Sequence, residues 1–189
     1  MVSAPPTSAT TKTVTTTTVP EGMKVDANNL VVGQWKAGIF DCFTDVMPNC
    51  CMAYWCPCVS LAQIVHRIGF GAYATALVLF GLVYTATYAS SVVAGQYATY
   101  TSQGNVYDSD NRGWAIASTS TALACGICVM IVRNIVRTKL QIPGNCLVDC
   151  LCGFFCNCCA IAQMATQVHA YDKGTCAFGP KDTLPGYMV

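Results

Sequence analysis

The sequence predicts an all-α membrane protein built around a two-helix transmembrane hairpin. Hydrophobic residues make up 53% of its 189 positions and charged residues only 10%, whereas soluble domains carry about 25% charged residues. No Asp, Glu, Lys or Arg occurs from Ile68 to Tyr107. A second apolar run lies between Arg112 and Arg133. Each run approaches or exceeds the roughly 20 residues that a helix needs to cross a bilayer.

The chain divides into segments around these two runs. Residues 1–30 are predicted to be a disordered tail, because their first part is rich in threonine and proline and has little to bury. The remaining boundaries are a first Cys-rich segment at 31–69, a first span at 70–95, an external loop at 96–113, a second span at 114–132, and a second Cys-rich segment with the C-terminal tail at 133–189.

The basic residues predict the orientation of the hairpin. His66 and Arg67 precede the first span, and Arg133, Arg137 and Lys139 follow the second. Lys and Arg accumulate on the cytoplasmic side of membrane proteins. Both termini and both Cys-rich segments are therefore predicted to be cytoplasmic, with the loop outside.

The two Cys-rich segments resemble each other at an offset of one hundred residues. Both read C-x5-C-x-C-x3-A-Q; the shared positions are Cys50, Cys56, Cys58, Ala62 and Gln63, and Cys150, Cys156, Cys158, Ala162 and Gln163. Since self-similarity at a fixed offset is typical of repeated structural units, we interpret them as two copies of one unit. Gln63 and Gln163 are expected to cap or cross-bond the copies.

The cysteines are candidate ligands for a soft metal ion such as zinc or cadmium, which prefers about four thiolates. The candidates are Cys50, Cys51, Cys56, Cys58, Cys150, Cys152, Cys156, Cys158 and Cys159. Three other interpretations stay open: disulfides, which the cytosol disfavours, S-palmitoylation, and packing as small apolar side chains. His66 and His169 are candidate nitrogen ligands, although interfacial polar roles are commoner for such residues.

Three stretches carry a resemblance to a known family: WKAGIFDCF at 35–43, CCMAYWCPCVSLAQI at 50–64, and the Cys-rich block at 150–163. They resemble the placenta-specific eight (cysteine-rich) family, and within it the plant cadmium resistance and cell-number-regulator (fruit-weight-like) branch. The resemblance implies a plasma-membrane protein that forms homo-oligomers, exports cadmium or zinc, or restrains cell number. It does not imply an enzyme.

We therefore expect an integral plasma-membrane homo-oligomer that exports, or confers resistance to, divalent soft metals. Zinc is the candidate cofactor, and cadmium a candidate transported ion. Ser118, Thr121, Cys125 and Cys128 are candidates for lining a path between subunits. The alternative is a membrane-anchored regulator or scaffold of cell number or growth whose cysteines are palmitoylated or hold a structural zinc. No catalytic motif occurs, and a net charge of +1 offers no basic surface for nucleic acid.

Overall fold

The computed structural model describes residues 23–102 and 108–186, the side chains of 100–102 and 108–111 excepted. Six α-helices follow one another in these ranges: α1 Cys51–Trp55, α2 Pro57–Arg67, α3 Tyr73–Ser102, α4 Asp108–Lys139, α5 Cys146–Phe155 and α6 Asn157–Gln167. A 3₁₀ turn at Asp41–Thr44 and a π-helical turn at Val46–Cys50 precede them. These residues contain no strand, so the predicted mostly helical fold is confirmed.

The two long helices form the predicted hairpin. Within α3 and α4, the segments Tyr73–Thr99 and Arg112–Lys139 are long and apolar enough to cross a membrane. Both helices run past the predicted span boundaries, so much of the predicted loop at 96–113 is helical. No proline interrupts the chain between Pro57 and Pro143, and a helix continues until such a residue or a cap ends it. Residues 1–22 of the predicted tail and 103–107 of the predicted loop lie outside the described ranges.

Two bent helix pairs pack against the hairpin. In one pair α1 breaks at Cys56 and continues as α2, and in the other α5 breaks at Cys156 and continues as α6. The axes of α5 and α6 differ in direction by 118°. The second pair therefore folds back on itself.

The two breaks have the same backbone geometry. Cys56 has φ −130° and ψ 56°, and Cys156 has φ −132° and ψ 49°. Eleven residues of helix follow each break. Each of these helices ends in a Schellman motif, in which Phe70 N–H donates to the Val65 carbonyl and Ala170 N–H to the Ala165 carbonyl.

The core lies where α2, α4 and α6 meet. Its largest fully buried side chains include Leu61 and Ile64 of α2, Val129 and Val136 of α4, and Ile161 and Met164 of α6. Leu30, before α1, and Leu140, just after α4, are fully buried members of the same core. Burial of each such side chain contributes about 1.5–3 kcal/mol.

The tips of the bent pairs lie beside the middle of the long helices. In the first pair, Trp55 and Cys58 line a groove together with Tyr84 and Tyr88 of α3. A Cβ on Gly153 of α5 would lie 2.9 Å from the carbonyl oxygen of Gly126, at the centre of the α4 span. Tyr84, near the centre of the α3 span, reaches Asn157 at the start of α6, with 3.3 Å between its hydroxyl and Oδ1. The expectation that the Cys-rich segments lie wholly on the cytoplasmic side is therefore not supported.

Candidate functional site

All fourteen cysteines are free thiols, and their exposure differs. Cys42, Cys125 and Cys159 are buried, whereas Cys146 and Cys176 are exposed. The other nine are half-buried.

Thiols from the two Cys-rich segments meet at the contact between α6 and the turns that precede α1. Cys42 Sγ lies 3.3 Å from Cys159 Sγ, although 117 residues separate them in the chain. Cys50 interacts with Cys42 and Cys158, and Cys158 with Cys159. We call these four residues the thiol cluster. Cys50, Cys158 and Cys159 were sequence candidates, whereas Cys42 was not.

The other candidate ligands are spread along the breaks. Cys56 and Cys156 occupy the two non-helical positions, and Cys58 lines a groove of about 670 Å³ beside Trp55 and Tyr88. The remaining candidates, Cys51, Cys150 and Cys152, are half-buried on α1 and α5. Among the residues described, no three His, Cys, Asp or Glu side chains are arranged to hold a metal ion.

Two of the four candidate lining residues face the partner helix of the hairpin. Thr121 Oγ1 lies 3.0 Å from Ser90 Oγ, and Cys125 Sγ lies 3.2 Å from Thr87 Oγ1. These contacts join α3 to α4, as small polar groups do between membrane helices. The Ser118 hydroxyl donates to the Ala115 carbonyl of its own helix. Cys128 lines a largely apolar cavity of about 520 Å³.

A buried ionic network joins α4 to α5, and sequence reasoning did not predict it. Arg133 Nε donates to Asp149 Oδ1 over 3.1 Å, and Arg137 Nε donates to Asp149 Oδ2 over 2.9 Å. The guanidinium carbon of Arg133 lies 4.2 Å from the centre of the Trp35 ring. Asp149, only 2% exposed, is the one acidic residue between Asp110 and Asp172, which is the signal that could have predicted its pairing.

The glutamines of the motif hold each segment to the other, as expected. Gln63 Nε2 donates to the Ala177 and Gly179 carbonyls of the C-terminal segment. Gln163 Nε2 donates to the Ala37 carbonyl of the N-terminal segment, while its Oε1 accepts from Arg133. Both side chains are 5% exposed, so these hydrogen bonds satisfy groups that water does not reach.

Several basic side chains lie around His169, just after the end of α6. Lys36 Nζ lies 2.7 Å from His169 Nε2. Burial, together with the charges of Lys36, Arg67 and Lys181, lowers the pKa of His169 to about 4. Burial also lowers the pKa of Lys36, helped by Lys173. His169 is thus a neutral hydrogen-bond acceptor at neutral pH, and it does not join the thiols.

Tyr171 makes a second polar contact at the same end of the molecule. Its hydroxyl donates to Asp45 Oδ2 over 2.7 Å. Burial raises the pKa of Tyr171 to about 12. The phenol therefore stays protonated and ties the C-terminal segment to the turns before α1.

Comparison with known proteins places these features in a family. Residues 35–167 match the PLAC8 family. Protein PLANT CADMIUM RESISTANCE 2 of Arabidopsis thaliana is 26% identical over 148 residues, covering 78% of this chain and 75% of that protein. Cell number regulator 9 of Zea mays is 26% identical over 140 residues, covering 74% and 61% respectively, so this chain spans about three-fifths of that relative.

A third relative is also named as a cell number regulator. Cell number regulator 5 of Zea mays is 28% identical over 156 residues, covering 80% of this chain and 72% of that protein. No solved structure matches the chain. The matched region runs from the residue that packs on Arg133 to the last residue of α6.

Proposed function

Because the chain belongs to the PLAC8 family, we propose that it binds soft divalent cations of the cadmium and zinc type and exports them as a homo-oligomer. Relatives named for plant cadmium resistance support this proposal. So does one feature of the chain itself: free thiols from both Cys-rich segments meet at Cys42 and Cys159. Thiolates are the donors that such cations prefer.

The thiol cluster suits a cation that binds and leaves. Two sulfur atoms lie close together, whereas the described residues do not place a third in ligating geometry. Cys50 and Cys158 are the other thiols whose charges are felt by that pair, and they are the residues we propose as its further ligands. Each thiol has to lose its proton to ligate a metal, so binding releases protons.

Transport needs more than one copy of the chain. Two helices cannot enclose a water-filled path, and in this hairpin Thr121 and Cys125 already bond to α3. We propose that copies assemble in the plasma membrane with both termini cytoplasmic, because Arg133, Arg137 and Lys139 lie at the same end of the hairpin. We also infer that the two bent pairs are copies of one unit, since their breaks share backbone geometry at an offset of one hundred residues.

Cadmium accumulation in a cadmium-sensitive cell tests the proposal. The test variant is Cys42→Ser with Cys159→Ser, which removes the close pair and leaves hydroxyls of similar size. The matched control is Cys146→Ser with Cys176→Ser, which changes two exposed thiols. We expect cells with the test variant to accumulate cadmium like cells without the protein, and cells with the control to accumulate as little as those with the unaltered chain.

Membrane delivery is measured for each variant, so that misfolding is not mistaken for lost transport. If cells with either variant and cells with the unaltered chain accumulate equal cadmium at equal membrane delivery, the metal proposal is contradicted. Cadmium bound per purified chain, measured by elemental analysis, then shows whether the thiol cluster is the binding site.

A second function is favoured by the relatives named cell number regulators. In it, the chain is a membrane-anchored regulator whose exposed thiols, Cys146 and Cys176, carry palmitoyl groups or whose buried thiols hold a structural zinc. An acyl-exchange assay distinguishes this function. The regulator function predicts that the Cys146→Ser, Cys176→Ser variant loses acylation. It also predicts that neither this variant nor the Cys42→Ser, Cys159→Ser variant changes cadmium accumulation.

A further inference from the structure

The tips of the two bent helix pairs are uncharged and expose large apolar side chains. No Asp, Glu, Lys or Arg occurs from Val46 to Val65 or from Cys150 to Val168. Trp55 is 77% exposed and Phe155 is 81% exposed. Tyr54 is exposed beside Trp55, and Leu147, Val148 and Leu151 are exposed along α5. A soluble surface rarely carries so large an apolar patch.

The depth of these tips can be measured along the two spans. Tyr97 stacks on Trp114 with 6.5 Å between ring centroids, and such aromatic residues mark the membrane interface. Gly126 is twelve residues from Trp114, and Tyr84 is thirteen from Tyr97. At 1.5 Å per residue both positions lie about 18–20 Å below the aromatic pair.

A hydrocarbon core about 30 Å thick then places the tips inside it. Because α5 reaches Gly126, α6 reaches Tyr84, and Trp55 of the first pair lines a groove together with Tyr84, both breaks lie about 10 Å from the opposite surface, a little short of the midplane. Asp149 and the two arginines lie nearer that surface, and they are paired with one another.

The backbone at the breaks is suited to this depth. Pro57 has no N–H at the first position of α2, where a donor would lack a helical partner. The Cys56 N–H donates to the Met52 carbonyl, and the Cys156 N–H to the Cys152 carbonyl. The Cys56 and Cys156 carbonyls accept from Ser60 and Ala160. Irregular backbone at membrane depth requires such internal partners.

We propose that α1–α2 and α5–α6 are re-entrant segments that enter one leaflet, turn near the midplane and leave on the same side. The partner of their exposed apolar tips is the acyl-chain region of that leaflet. The segments then position four cysteines inside the bilayer, reachable only from the side on which the segments enter: Cys56, Cys58, Cys156 and Cys158. This inference does not depend on metal export.

Depth-dependent quenching of tryptophan fluorescence tests the proposal in the full chain, reconstituted in phosphatidylcholine vesicles. The chain has three tryptophans. Trp35→Phe with Trp114→Phe leaves Trp55, and Trp35→Phe with Trp55→Phe leaves Trp114 as the interfacial control. We expect a nitroxide near the acyl-chain end to quench Trp55 at least about twofold more than one on the headgroup, and Trp114 to show the opposite order.

A third variant repeats the test on the other tip, with Phe155→Trp in a chain whose three tryptophans are phenylalanine. Stronger quenching of position 55 or 155 by the headgroup label or by aqueous iodide would overturn the proposal. So would the absence of quenching by every lipid label, since a second copy of the chain would then cover the tips.

A measurement on the unaltered chain guards against a variant that fails to fold. An apolar diazirine dissolved in the bilayer forms a carbene on illumination and labels the side chains that contact lipid. We expect carbene labels on the peptides that contain Trp55 and Phe155. Labelling of those residues by aqueous hydroxyl radicals instead, with no carbene label, would contradict a membrane-embedded position.

Discussion

At the scale of single residues, Asp149 is a buried carboxylate that joins two helices. It is 2% exposed and accepts hydrogen bonds from two arginines on α4. Arg133, 3% exposed, also donates to Gln163 and lies over the Trp35 ring. The Asp149 carboxylate thus joins α5 to α4, and through Arg133 it is connected to the segment before α1. Removing one partner of a buried ion pair leaves an uncompensated charge.

We predict that Asp149→Asn lowers the free energy of unfolding by about 3–5 kcal/mol. The amide accepts through only one oxygen and carries no charge, so both arginines lose their shared carboxylate and the buried charge of Arg133 is left without its counter-ion. The control is Asp172→Asn, which removes an exposed ion pair with Lys181 and should cost less than about 1 kcal/mol. Denaturant unfolding in detergent measures both. Equal losses for the two variants would contradict a structural role for the buried network.

At the scale of elements, the contact between α4 and α5 depends on two glycines. A Cβ on Gly153 would lie 2.9 Å from the Gly126 carbonyl oxygen and 3.3 Å from the Met130 backbone nitrogen. A Cβ on Gly126 would meet the Phe154 ring at 2.4 Å. Small residues at both positions therefore let the two helix backbones approach closely, as in other membrane helix pairs.

We predict that Gly153→Ala destabilises the protein by about 1–3 kcal/mol, because backbone atoms cannot move aside as a flexible side chain can. Gly95→Ala is the matched control, since a Cβ there meets nothing within 4 Å and alanine favours a helix. Thermal unfolding in detergent should show a lower midpoint for the first variant only. An unchanged midpoint for Gly153→Ala would mean that α5 does not pack on α4 as described.

At the scale of the whole molecule, the segments before α1 and after α6 close over the same end of the hairpin. Gln63 and Gln163 bond across from one segment to the other, and Arg67 donates to the Val168 and Asp182 carbonyls. His169 lies among charges from several of these pieces: Lys36, Arg67, Lys181 and Asp26. The pKa of His169 therefore depends on how the segments before α1 and after α6 pack together.

We predict that the protein loses thermal stability as the pH falls from about 6.5 towards 4. The folded pKa of His169 is about 4, below the ordinary value of 6.5, so in this window the unfolded chain binds the proton that the folded chain excludes. The contribution is fully present above pH 6.5. His169→Asn keeps a residue that tolerates the positive φ of 51° found there but cannot titrate.

The difference between the two melting curves isolates His169 from the carboxylates, which titrate in the lower part of the same range. We expect the midpoint of the unaltered chain to fall more steeply with acidification than that of the variant. Parallel pH profiles would show that the imidazole is not held neutral by folding.

Much of the architecture follows from the sequence alone, because composition and hydropathy act locally along the chain. An apolar run of about 20 residues without charge or proline favours a long helix, so the two candidate spans and the mostly helical fold were predictable from the apolar runs within residues 68–132. The break at Cys56 also had a local signal, since Pro57 disfavours helix in the residue before it. The equivalent break at Cys156 precedes Asn157, which is not a proline, so no local sequence signal predicted that break.

The meeting of distant side chains was decided by the tertiary structure alone. Cys42 faces Cys159, Asp149 faces Arg133, and Gly153 lies on Gly126 only because the bent pairs fold back along the hairpin. No periodicity encodes the direction in which a helix leaves a bend. The sequence therefore determined which residues are chemically able to bind a soft cation or to enter a membrane, and the path of the backbone decided which of them come together.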